Sequence, residues 1–125
     1  MNKTKGRLES EISEALIMFE KEHMGRGPNE AKTFIVDDMV LVRLRGVLTP
    51  AEKQLAKTDD LARGFGLIKR IRIELLEKSR TLVETIIKDI TGRTVVSMHT
   101  DISTVTGERV IIFTLDGCPR CSDSE

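Results

Sequence analysis

"KTFIVDDMVLVRLRG", residues 32–46, decides the fold. It is dense in β-branched and large apolar residues, and one polar pair, Asp37-Asp38, divides it into two runs. Two such runs parted by two turn-forming residues read as an antiparallel hairpin. With the aspartates as the loop, Val36 faces Met39, Ile35 faces Val40 and Phe34 faces Leu41. The two-residue period of a strand then puts Thr33, Ile35, Val40, Val42 and Leu44 on one face, and Phe34, Val36, Met39, Leu41, Arg43 and Arg45 on the other. Both faces are largely apolar, so covering one with helices still leaves apolar surface on the other.

Upstream of the hairpin, Leu8, Ile12, Leu16, Phe19 and His23 recur at spacings of four and three. Glu9, Glu11, Ser13, Glu14, Glu20 and Lys21 fill much of the opposite side, which predicts an amphipathic helix over about 5–24. "GRGPN", residues 25–29, ends it, because Gly25 suits a left-handed cap and Pro28 cannot continue a helix. His23 lies in the last turn and reads as a helix cap rather than a ligand.

Downstream, Thr49, Pro50 and Glu52 in "LTPAEKQLAK" make a capping box with proline at the first helical position, predicting a helix start at 49. After a bend permitted by Gly64 and Gly66, apolar residues return at Ile68, Ile71, Leu75, Leu82, Ile86 and Ile90, predicting a long helix over about 66–91 that ends at Gly92. At roughly 1.5 Å per residue it approaches 40 Å, longer than a small sheet covers, so part of it is expected to pack against another copy.

"RTVVSMHTDI" (93–102) and "ERVIIFTL" (108–115) form a second hairpin around "STVTG". Strict alternation places Val96, Met98, Thr100 and Ile102 with Arg109, Ile111, Phe113 and Leu115, and puts Ser97, His99 and Asp101 beside Val110, Ile112 and Thr114 on the other face. The order α-β-β-α-α-β-β predicts an α+β two-layer sandwich: one antiparallel four-stranded sheet of two hairpins with helices on one face. A single domain over residues 1–116 and a short polar tail over 117–125 are expected.

Twenty basic and twenty acidic residues cancel, and the chain has neither Trp nor Tyr. This argues against nucleic acid as a partner, because neither a long-range positive field nor stacking platforms are present. Glutamates at 9, 11 and 14 interrupt the opening stretch, and no run approaches the ~18 apolar residues of a membrane span. A cytoplasmic protein without direct membrane insertion is expected. Two cysteines do not make a secreted disulfide framework.

Three constellations carry chemical potential. Ser97, His99 and Asp101 are the residue types of a hydrolytic triad, but same-face neighbours on a strand stand ~7 Å apart, so alone they are not expected to form the relay. Asp101, Ser103 and Thr104 read better as turn stabilisers bonding nearby backbone amides. Arg43 and Arg45, near His99 or Thr100, have the chemistry to hold a small anion such as a carboxylate; the alternative is ion pairing with Asp101 or helix glutamates. Cys118 and Cys121 have the spacing of half a zinc site, which two chains sharing one ion would complete. A tail with free thiols is the competing expectation.

"RLRGVLTPAEKQLA" (43–56), "ITGRTVVSMHTDIST" (90–104) and "TGERVIIFTLD" (106–116) together resemble a family of small bacterial proteins. The family is named for the MpsC component of a sodium-translocating, membrane-potential-generating system related to inorganic-carbon uptake. The resemblance spans about residues 5–116 and leaves "CPRC" outside. It implies association with membrane transport subunits that are separate proteins. The expected function is therefore that of a non-enzymatic accessory or regulatory protein, peripheral to the inner face of the membrane. A homo-oligomer, with a dimer favoured, follows from the apolar content of both sheet faces. The alternatives are a small-anion sensor and a hydrolase using His99.

Overall fold

A computed structural model of the 125-residue chain describes residues 3–23, 27–47, 70, 73–75, 77–103 and 105–119. Its elements are α1 (Lys5–His23), β1 (Glu30–Val36), β2 (Met39–Arg45), α2 (Arg80–Thr91), β3 (Val95–Ile102) and β4 (Arg109–Leu115). The four strands form one antiparallel sheet in the order β1-β2-β4-β3, so the two hairpins meet along β2 and β4. The architecture is α+β.

The first hairpin has the expected register, with Val36 opposite Met39, Ile35 opposite Val40 and Phe34 opposite Leu41. Asp37 supplies the turn by taking φ 53, a left-handed conformation that aspartate tolerates better than most residues. Gly46, at φ 74, closes the far end, where the Asn29 side chain occupies the space a Cβ would need.

One face of the sheet is buried by the helices. Leu8, Ile12, Leu16 and Phe19 of α1 and Val83 and Ile87 of α2 join Ile35, Val40, Val42, Leu44, Ile111 and Phe113 in a single core cluster. α1 lies against β1 and α2, while α2 reaches β3. The 3.6-residue stripe on each helix and the two-residue alternation on each strand thus converge on one layer.

Three expectations change. Glu20, assigned to the solvent side of α1, is fully buried: it continues the series Leu8, Ile12, Leu16 at a spacing of four and so shares their face. Val96 does not join the core face but is 65% exposed, because a bulge between Val95 and Ser97 leaves it outside the ladder and pairs Val95 with Leu115. The long helix is interrupted: residues 73–75 and 77–78 are helical, Ser79 turns with ψ 11, and α2 then starts at Arg80. Ser79 and Thr81 are weaker helix formers than their neighbours, which favours a break at this point. α1 is described as far as His23, whose ring lies 5.0 Å from that of Phe19, and the expected cap at Gly25 lies outside the described residues. The helix expected from Thr49 lies outside the described residues. Gly92 ends α2 as expected, at φ 73, with its N–H donating to the Lys88 carbonyl at 2.8 Å.

Candidate functional site

The described helices leave the second face of the sheet uncovered, and the registers fix its layout in rows that run across all four strands. The row nearest the Asp37-Asp38 turn reads Val36, Met39, Thr114, Ser97. Next comes Phe34, Leu41, Ile112, His99, and then Lys32, Arg43, Val110, Asp101. Glu30 and Arg45 close the β1–β2 end. Phe34 is 41% exposed and Val36 50% exposed, while Met39, Leu41, Val110 and Ile112 are half-buried. An apolar field on β1, β2 and β4 is therefore bordered by polar side chains on β3 and by charge at one end.

The charged end is already paired. Arg43 Nε donates to Glu108 Oε2 at 2.6 Å, and Arg45 Nε lies 3.7 Å from the same oxygen. Arg45 also reaches Glu30 at 3.5 Å. The hydrogen bond from Arg43 holds the Glu108 carboxyl below its ordinary range, with the Coulombic attraction of Arg43 and Arg45 adding to the effect. The same bond raises the Arg43 guanidinium. These partners come from the sheet and its loop rather than from the helices, because Glu108 sits two residues from Val110, the register partner of Arg43.

The remaining candidates are dispersed. His99 and Asp101 are exposed on the open face, whereas Thr100 belongs to the helix-covered face, where its Oγ1 accepts from Arg109 Nε at 3.4 Å. Arg43, Arg45, His99 and Thr100 thus do not converge on one point. Ser103 performs the turn role expected of it: its Oγ accepts from the Thr106 N–H at 3.1 Å, and its backbone exchanges bonds with Glu108 and Gly107. Thr104 and Cys121 lie outside the described residues. Cys118 is exposed, and its carbonyl accepts from Arg93 Nε at 2.7 Å.

Ser97 and His99 come closer than strand spacing suggests. Ser97 Oγ lies 3.4 Å from His99 Nε2 and also contacts the Thr114 hydroxyl. The side chains lean along the strand, beside the bulge that displaces Val96. At 3.4 Å the contact is outside the 2.6–3.2 Å at which a base takes a hydroxyl proton, and its surroundings are exposed.

One polar pair was not anticipated. Arg109 Nη1 donates to Glu20 Oε2 at 3.1 Å, with the two side chains 1% and 0% exposed. It ties α1 to β4 beneath the sheet, on the side away from the open face. The signal in the sequence was an arginine at an inward strand position, which requires an acidic partner.

Comparison with known proteins places this architecture. The family model described as "Na+-translocating membrane potential-generating system (MpsC)" matches residues 4–117. The chain belongs to the MpsC family. This MpsC-family chain is also 44% identical over 125 residues to a Bacillus subtilis (strain 168) protein titled "Uncharacterized protein YbcI", covering all of the chain and 94% of that relative. No solved structure matches. The family match takes in the whole sheet and both described helices, and among the described residues no helix is long and apolar enough to cross a membrane.

Proposed function

We propose that this MpsC-family chain is a non-enzymatic accessory or regulatory component of a bacterial sodium-translocating, membrane-potential-generating system. It acts from the cytoplasm, peripheral to the membrane, by contact with other proteins. The family description supplies the context. The observation that carries the reading is the sheet face uncovered by the described helices: Phe34, Val36, Leu41 and Ile112 form an apolar field on the four-stranded sheet, and partly exposed fields of this kind mark contact surfaces.

The sheet edges support the same reading. Glu9 of α1 accepts the Ile35 N–H of edge strand β1 at 2.8 Å, and Ser13 bonds Thr33 at 2.8 Å. The other edge, β3, is broken by its bulge. Both edges are thus partly blunted against strand addition, which favours association through the face.

The anion-sensor and hydrolase alternatives draw less support. A ligand at Arg43 and Arg45 would have to displace Glu108 from an existing hydrogen bond, and the Ser97–His99 contact, at 3.4 Å, is longer than a proton-transfer hydrogen bond.

The test uses membrane vesicles from cells that carry the transport system, with this chain deleted and then restored. Sodium-dependent potential, read with a voltage-sensitive dye, is expected to fall on deletion, to recover with the wild type and to stay low with Leu41→Glu. An undiminished potential after deletion overturns the proposal.

A further inference from the structure

We infer that edge strand β1 and helix α1 together form a binding site for a short extended peptide segment of a partner protein, taken up as an added strand beside Ala31 and Thr33. The site lies at the margin of the sheet and is separate from the open face.

The direction of the backbone groups sets it up. The Ile35 N–H points away from β2 and donates to Glu9 Oε2 of α1 at 2.8 Å. Hydrogen-bonding direction alternates along an antiparallel strand, so the N–H and C=O groups of Ala31 and Thr33 also point outward. Among the described residues nothing bonds them. At Ile35 the Glu9 carboxylate stands where a neighbouring strand would place its carbonyl, and the two positions before it offer the same bonds to an incoming backbone.

A cleft of about 490 Å³ opens beside that stretch, between residues 31–34 of β1 and Glu9, Ser10 and Ser13 of α1. Its volume is in the range of clefts that hold small ligands, and four residues of strand run about 13 Å, the length of a short extended segment. Glu9 closes the edge at Ile35, so a long strand is barred and a short one is admitted.

The two walls define the chemistry of the occupant. An added strand alternates its side chains as β1 does. On the covered side they meet the exposed Ser10 and the Glu9 carboxylate, which has acceptor sites beyond the one given to Ile35. On the other side they lie along Phe34, which is 41% exposed. The segment that fits carries apolar residues on one side and hydroxyl or basic residues on the other. Main-chain bonds supply its affinity and the walls its selection.

The test titrates the blocked peptide acetyl-Val-Lys-Val-Thr-Val-amide, up to millimolar concentration, into the isotope-labelled chain and follows backbone amide signals by NMR. Saturable shifts are expected at Ala31, Thr33, Ser10 and Ser13. Two further peptides are N-methylated, one on its valines and the other on its lysine and threonine. Only one set of amides faces β1, so one peptide is expected to bind like the parent and the other not at all. Ala31→Pro removes an outward N–H without taking a ladder bond from β2, and is expected to weaken binding about tenfold. Ser10→Arg fills the cleft from an exposed helix position, leaves the strand untouched and is expected to do the same. Circular dichroism confirms that each variant is folded, and Ser10→Arg decides the matter should Ala31→Pro not fold. The absence of saturable shifts, shifts confined to the open face, two methylated peptides that behave alike, or a folded variant that binds as wild type overturns the inference. Shifts at Ala31 and Thr33 that follow protein concentration without peptide assign the edge to a second copy and overturn it as well.

Discussion

The buried bond between Glu20 and Arg109 permits the sharpest test of the fold. Both side chains are withdrawn from water, at 0% and 1% exposure, and the arginine is further held by the Thr100 hydroxyl. Replacing Glu20 with Ala removes an anionic partner of a desolvated guanidinium, a perturbation that costs up to about 3–5 kcal/mol in buried pairs. With a urea m-value of about 1.5 kcal/mol/M, the unfolding midpoint is expected to fall by roughly 2–3 M. Replacing both partners, Glu20→Leu with Arg109→Met, removes the charge along with the bond and is expected to recover most of that loss, because well-packed apolar residues commonly match a buried ion pair in stability. The Thr100 hydroxyl then loses its donor, a residual cost of about 1 kcal/mol. Equilibrium urea unfolding followed by circular dichroism decides the matter. A midpoint shift below about 0.5 M for Glu20→Ala, or a double variant no more stable than the single, would refute the claim that the pair is both buried and mutually dependent.

Three further perturbations follow from local geometry. Gly92→Ala forces a Cβ into a left-handed cap at φ 73 with nothing within 4 Å to clash, so the expected loss is purely conformational, about 1 kcal/mol in thermal or urea unfolding. Asp37→Val puts a β-branched residue at φ 53 in the first hairpin and is expected to cost about 1–2 kcal/mol, while Asp37→Gly at the same site should leave stability unchanged or raised. Glu108, held below its ordinary carboxyl value by the Arg43 hydrogen bond, stabilises the fold at pH above the unfolded-state value and loses that contribution as pH falls through the lower folded-state value. Thermal unfolding from neutral to acidic pH should therefore show a shallower acid decline for Glu108→Gln than for wild type, and parallel curves would count against the ion pair in solution.

How far the sequence discloses this molecule depends on the range of the interaction involved. The first hairpin is legible to the residue, because its register is set by two adjacent aspartates and a period of two, both read within a few positions. The open face follows from it with Arg43 and Arg45, and the alternation of the second hairpin adds His99 and Asp101. The bulge is not legible, since Val95 and Val96 are chemically identical and alternation cannot say which of them leaves the ladder. Partner choice is harder still. Arg43 pairs with a glutamate 65 positions away and Arg109 with one 89 positions away, distances over which composition offers 20 acidic candidates and no geometry. Yet the buried pair left a trace at each end. Glu20 extends a run of core residues spaced by four, and Arg109 occupies an inward position between core strands; buried charges of opposite sign call for one another. Two charges that a pattern insists on burying, one on a helix and one on a strand, constrain how the two layers dock before any coordinates exist. In this fold that constraint places α1 over the sheet by the same face that its apolar stripe selects, so the ionic and apolar signals agree on which side of the sheet is closed and which is left open.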